Sequence, residues 1–109
     1  MAEVLKRLGA TVVTANTDTL LYQVDAGKSA VAMVTACNRG ATARTIRVAH
    51  VDGAGIAGVA NEDYLAYDAP IEPNGTVSIV GISMGALDSI LVRANHADVG
   101  FIAHGPEIS

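Results

Sequence analysis

The side chains able to do chemistry are few in this 109-residue chain. His50, His96 and His104 are the natural candidates for a metal centre, because neutral imidazole is the commonest metal ligand. Their separations match no standard ligand motif. His50 and His104 fall near the ends of predicted strands and His96 falls in a turn, so they read as surface or strand-edge histidines with no metal. Cys37, Ser83 and Ser89 raise the question of a nucleophile. Covalent catalysis needs a partnered, exposed nucleophile, and no G-x-S-x-G elbow is present. Cys37 lies in the most apolar run, where a thiol is usually inert packing. Glu62, Asp63 and Asp68 flank Tyr64 and Tyr67. Paired acids can hydrolyse glycosides, but a solvated loop anchored by two tyrosines is the simpler reading. No catalytic residue follows from these patterns.

Two motifs dissolve in context. Residues 53–58, Gly-Ala-Gly-Ile-Ala-Gly, match the G-x-G-x-x-G of a dinucleotide site. That site needs a long helix after the glycines and an acid about twenty residues on. Here Pro70 and Pro73 interrupt any such helix and Thr76 stands near the acid's place. The stretch reads as a Gly/Ala loop, with no nucleotide cofactor. Asn74-Gly75-Thr76 has the form of a glycosylation sequon and reads as a turn.

Composition narrows the class. Half the residues are hydrophobic and 17% are charged, which is a globular balance. The formal net charge is −4 and the pI about 5.1, against nucleic-acid binding and against adhesion to anionic membranes. The single cysteine excludes an internal disulfide and a cysteine zinc cluster. No apolar run approaches the ~18 residues of a membrane span. The opening MAEVLKRLGA lacks the apolar stretch of a signal peptide. The expectation is a soluble protein made in a cytoplasm. Its only aromatics are Tyr22, Tyr64, Tyr67 and Phe101. Its core must therefore be Val, Ile, Leu and Ala, a thin filling that suits two closely packed sheets.

The elements that position these residues are short β-branched runs broken by Gly, Asn, Asp and Pro. Strands are predicted over 11–14, 19–24, 30–38, 44–51, 76–82, 88–94 and 99–104, with 62–69 a strand or a helical turn. Leu20, Tyr22 and Val24 alternate on one face. Residues 30–38 are apolar on both faces, which marks a central strand. Pro73-Asn74-Gly75 signals a tight turn, with Gly75 the residue suited to positive φ. Seven or eight strands imply an all-β, antiparallel two-sheet sandwich of jelly-roll or immunoglobulin-like type. The domain is expected over 11–109, preceded by an N-terminal arm over 1–10. In that arm Val4, Leu5 and Leu8 are apolar and Lys6-Arg7 is the one adjacent basic pair. Val4, Leu5, Lys6, Arg7 and Leu8 are therefore the expected intermolecular contact, with an added edge strand as the alternative.

Read whole, the chain resembles a family of small structural proteins of tailed bacteriophages. The resemblance runs through Val4-Leu5-Lys6-Arg7-Leu8-Gly9, residues 16–24 (NTDTLLYQV), residues 37–43 (CNRGATA), residues 63–71 (DYLAYDAPI) and residues 101–108 (FIAHGPEI). It departs at Asp25, where proline is frequent, and at His104, where an aromatic residue is common. It implies a virion component, a β-sandwich decorating a capsid or seated on the tail, with no catalytic position and no cofactor. The implied partners are a major capsid or tail protein and further copies of the chain, a trimer being natural at a three-fold position. A second class is a tail-tip or fibre-associated binding module that contacts a host glycan or another adhesin through Tyr64, Tyr67, Asp63 and Asp68. A third is a small cupin-like enzyme, which the spacing of the three histidines does not support.

Overall fold

The β-branched runs become strands. The structure, a computed structural model, describes residues 3–52 and 59–109. In chain order the strands are β1 (Glu3–Val12), β2 (Thr19–Gln23), β3 (Ser29–Asn38), β4 (Arg44–Val51), β5 (Tyr64–Ile71), β6 (Thr76–Met84), β7 (Ser89–Ala94) and β8 (Val99–Ile108), with a 3-10 turn at Asn61–Asp63. They form two four-stranded sheets, in the orders β1-β8-β3-β6 and β2-β7-β4-β5. All pairings are antiparallel. Most successive strands change sheet, which makes two interleaved Greek keys. This is the jelly roll and not the immunoglobulin order. Residues 53–58 lie outside the described residues, so the glycine motif has no structural reading.

The core is the layer between the sheets. The inner face of β3 carries Ala30, Ala32, Val34 and Ala36, and β8 adds Val99, Phe101 and Ala103, all buried. Opposite them lie Ile46 and Val48 of β4 and Ile90, Val92 and Ala94 of β7. Phe101 is the largest fully buried side chain. Small residues let the backbones approach closely. A Cβ on Gly9 would collide with the carbonyl oxygen of Leu21, and one on Gly105 with that of Val31. Gly105 also has φ of 145°, which a side chain would strain.

Four expectations need correction. First, no separate arm exists among the described residues, because Glu3–Val12 is one strand hydrogen-bonded to β8. A register shift between Arg7 and Gly9 breaks the alternation that would have revealed it. Second, β2 is bulged between Leu20 and Tyr22. Leu21 is buried and Leu20 exposed, so the predicted face is only half right. Third, the 62–69 segment is both things, a 3-10 turn followed by a strand. Fourth, the turn at Glu72–Gly75 closes through Gly75 N–H to the Glu72 carbonyl at 2.9 Å, and Asn74, not Gly75, takes the positive φ of 57°. Asparagine tolerates that region because its short side chain bonds locally.

One buried amide holds the end of the sandwich where β3 stops. Asn38 is fully buried. Its Nδ2 donates to the carbonyls of Thr42 (2.9 Å), Ile71 (3.3 Å) and Glu72 (3.2 Å), and its Oδ1 accepts from Gly40 N–H at 2.9 Å. Three carbonyls on one side and an N–H on the other make the amide irreplaceable by its isostere. Asn38→Asp sets a carboxylate against those carbonyls. The expected loss is about 2–4 kcal/mol of unfolding free energy in urea titration, because buried polar groups lose their partners.

Candidate functional site

Two opposite faces of the sandwich carry the exposed features. On the β1-β8-β3-β6 sheet, residues alternate between the core and the outside. The register sets Val12 beside Gly100, Thr35 beside Ile102 and Cys37 beside Gly100 on the outer side. There Leu5 is 75% exposed, Val12 58%, Ile102 41% and Val31 38%. A shallow groove of about 440 Å³ runs between Ala10, Val12, Thr35, Cys37, Gly100 and Ile102. Cys37 is exposed in this groove. Its expected role as core packing is therefore wrong: its strand is central, but the period of two turns this residue outward.

The outer face of the β2-β7-β4-β5 sheet is polar and aromatic. Tyr64 and Tyr67 meet edge to face with centroids 4.9 Å apart. Arg47 lies over the Tyr67 ring at 4.1 Å and forms a two-pronged bond with Asp68, at 2.7 and 3.2 Å. The hydrogen bond from Arg47 holds the Asp68 carboxyl below its ordinary range. Arg93 reaches Asp18 at 3.6 Å beside this group. Tyr64 packs on a small buried cluster of Ala49, Val51 and Leu91, as an anchor should, whereas Tyr67 is 58% exposed. Asp63 does not join them; its carboxylate accepts from Ala60 N–H at 2.8 Å. The sequence pattern does not single out Arg47. Its outward position on β4 was legible, but its pairing with a residue on the neighbouring strand was not.

At the end of the sandwich where β8 finishes, Glu107 gathers charge. Its carboxylate accepts from the Tyr22 hydroxyl at 3.0 Å and pairs with Lys6 at 3.1 Å and Lys28 at 3.6 Å. The hydrogen bonds from Lys6 and Tyr22 hold its carboxyl below the usual range. Burial, then the bond and charge of Glu107, push the Tyr22 hydroxyl up to about 12.

The remaining candidates do not converge. His50 bonds Asp88 at 2.9 Å, and Asp88 also accepts from Gly85 N–H at 2.9 Å. Burial raises the Asp88 carboxyl, but these bonds outweigh it and leave it lowered. His96 Nδ1 accepts from Asp98 N–H at 3.1 Å in the β7–β8 turn. His104 sits opposite Arg7 and Met33 on the outer apolar face. Among the described residues no group of three or more His, Cys, Asp or Glu is placed to hold a metal ion. Ser89 is fully buried and its hydroxyl has no partner among the described residues. Ser83 lies opposite Val31 on the outer side. Of the expected contact residues, Val4 and Leu5 are exposed, Lys6 is tied to Glu107, Arg7 is exposed, and Leu8 packs on the core.

The Glu107 cluster has a signature at each pH extreme. Folding favours neutral Tyr22, so that contribution is complete below pH 10 and is lost as pH rises from 10 through about 12. Folding favours ionised Glu107, so its contribution is lost as pH falls through its lowered range. Tyr22→Phe is expected to remove the phenolate absorbance component that titrates near 12 and to weaken the alkaline loss of stability. The chain matches no protein-family model and no curated protein sequence.

Proposed function

We propose that this chain is a non-enzymatic structural component of a tailed-phage virion, made in the host cytoplasm and decorating or stabilising the capsid or tail. The observation that carries the reading is the apolar outer face of the β1-β8-β3-β6 sheet, where Val12 and Ile102 stand exposed at the groove and Leu5 and Val31 stand exposed towards the other end of the sheet. Soluble monomers seldom expose large contiguous apolar patches, and such patches mark protein contacts. A flat sheet face on a rigid sandwich fits a neighbouring virion protein better than a small molecule. Burying each of these aliphatic side chains is worth roughly 1.5–3 kcal/mol before association costs, and symmetry repeats the gain in every copy. The sequence resemblance to small phage structural proteins points the same way. The partner is the major capsid protein or a tail protein, and nucleic acid and membrane have no part in the reading.

Ile102→Glu tests it. Ile102 faces outward, so the isolated protein is expected to keep its melting behaviour within about 0.5 kcal/mol. Its copy number in purified particles is expected to fall to background. Wild-type incorporation of the variant, or particles that never contain the protein, would overturn the reading.

A second reading has its own observation. Tyr67, exposed beside Tyr64, Asn61, Arg47 and Asp68, combines an aromatic platform with fixed polar groups. Such a surface can stack on the apolar face of a sugar and bond its hydroxyls. Glycan arrays should then show saccharide binding that Tyr67→Ala reduces at least about tenfold, a loss near 1.4 kcal/mol. An array without signal removes this reading and leaves the first intact.

A further inference from the structure

We propose that two copies of this chain join edge to edge through β1, antiparallel about Leu5, so that two four-stranded sheets become one of eight strands. This goes beyond the virion reading and does not depend on it. The first ground is the edge itself. β1 is ten residues long and pairs only with β8 among the described residues. An unpaired edge is a template for another strand unless something blunts it. The other three edges are blunted. β2 is five residues long and bulged. β5 contains Pro70 and two register shifts. β6 is irregular opposite Ala32–Val34, where Gly81 takes φ of 71°. The single shift in β1 falls between Arg7 and Gly9 and leaves Glu3–Arg7 regular and exposed.

The second ground is charge complementarity. Glu3, Leu5 and Arg7 pair with Ile108, Pro106 and His104 and so share the outer side of the sheet. A two-fold axis at Leu5 sets Leu5 against Leu5 of the second copy and Glu3 against its Arg7, twice over. Opposite charges directly across a strand pair attract and like charges repel. Centring on Lys6 instead would oppose two lysines, so the charges select the register. Among the lysines and arginines, Arg7 is also the one with neither an ion pair nor a hydrogen bond among the described residues. Lys6, Lys28, Arg39, Arg44, Arg47 and Arg93 each have one. Glu3 has no ion pair there either. Lys6 points to the inner side, where Glu107 neutralises it. The Leu5 contact joins the apolar outer faces of both copies into one surface.

The experiment is sedimentation equilibrium of the full chain. The seam is short, so a micromolar dimer is expected. Arg7→Glu and Glu3→Arg each place like charges opposite one another and are expected to weaken the dimer about tenfold or more. The double variant E3R/R7E restores complementarity and is expected to dimerise like wild type. An equimolar mixture of the two single variants is expected to form the heterodimer. A purely structural role for these charges produces neither rescue. In a Cys37→Ser background, Leu5→Cys is expected to oxidise to a disulfide-linked dimer. A wild-type chain that stays monomeric at high micromolar concentration, or forms a trimer, overturns the proposal. So does a dimer that ignores the charge swaps but dissociates on Ile102→Glu, which would place the contact on the sheet face.

Discussion

The thin aliphatic layer between two sheets is the constraint on which the rest of this structure depends. The chain has one phenylalanine and no tryptophan, so Phe101 is the one such ring in a layer otherwise filled by smaller side chains. Small residues on β3 and β8 let the sheets close. Ala30, Ala32, Ala36 and Ala103 are all buried, and Gly9 and Gly105 lie where a Cβ would strike a backbone oxygen. Interiors pack to crystal-like density, so a layer of this thickness leaves no room for a polar group at its middle.

Polar side chains are accordingly confined to the ends and the outer faces. At one end the Asn38 amide ties the turn after β3 to the end of β5. At the other, Glu107 draws Lys6, Lys28 and Tyr22 together, and so fastens β1, β8, β2 and the turn before β3. The two ends behave differently because their groups differ. An amide network is indifferent to pH, while a carboxylate with a phenol responds to acid and to alkali. β1 owes part of its place in the sheet to this cluster, through Lys6.

The outer faces of the two sheets differ in kind. One sheet shows aliphatic side chains and a shallow groove. The other shows tyrosines and an arginine–aspartate fork. Among the described residues the core is packed, and the exposed side chains lie on the faces, ends and edges of the sandwich. The apolar face and the free β1 edge adjoin each other, and both present Leu5.

The antiparallel sandwich was legible in the sequence because short β-branched runs, some alternating with a period of two as TIRV does, break at turn residues. The central place of β3 was legible because its residues are apolar on both faces. Three features were not. β1 was hidden because its register shift disrupts the alternation and because its first half gains strand geometry only from the hydrogen bonds that β8 supplies. The outward position of Cys37 was hidden because a strand apolar on both faces does not say which side is the core. The partners of Glu107 and Arg47 were hidden because they sit on other strands, brought near by strand order. By itself, then, the sequence determined the class of fold, the turns and the thin aliphatic core, all of which follow from local periodicity and composition. Only the tertiary structure decided which strands are neighbours, which side of each faces water and which strands lie at the edges, because these depend on contacts between residues far apart in the chain.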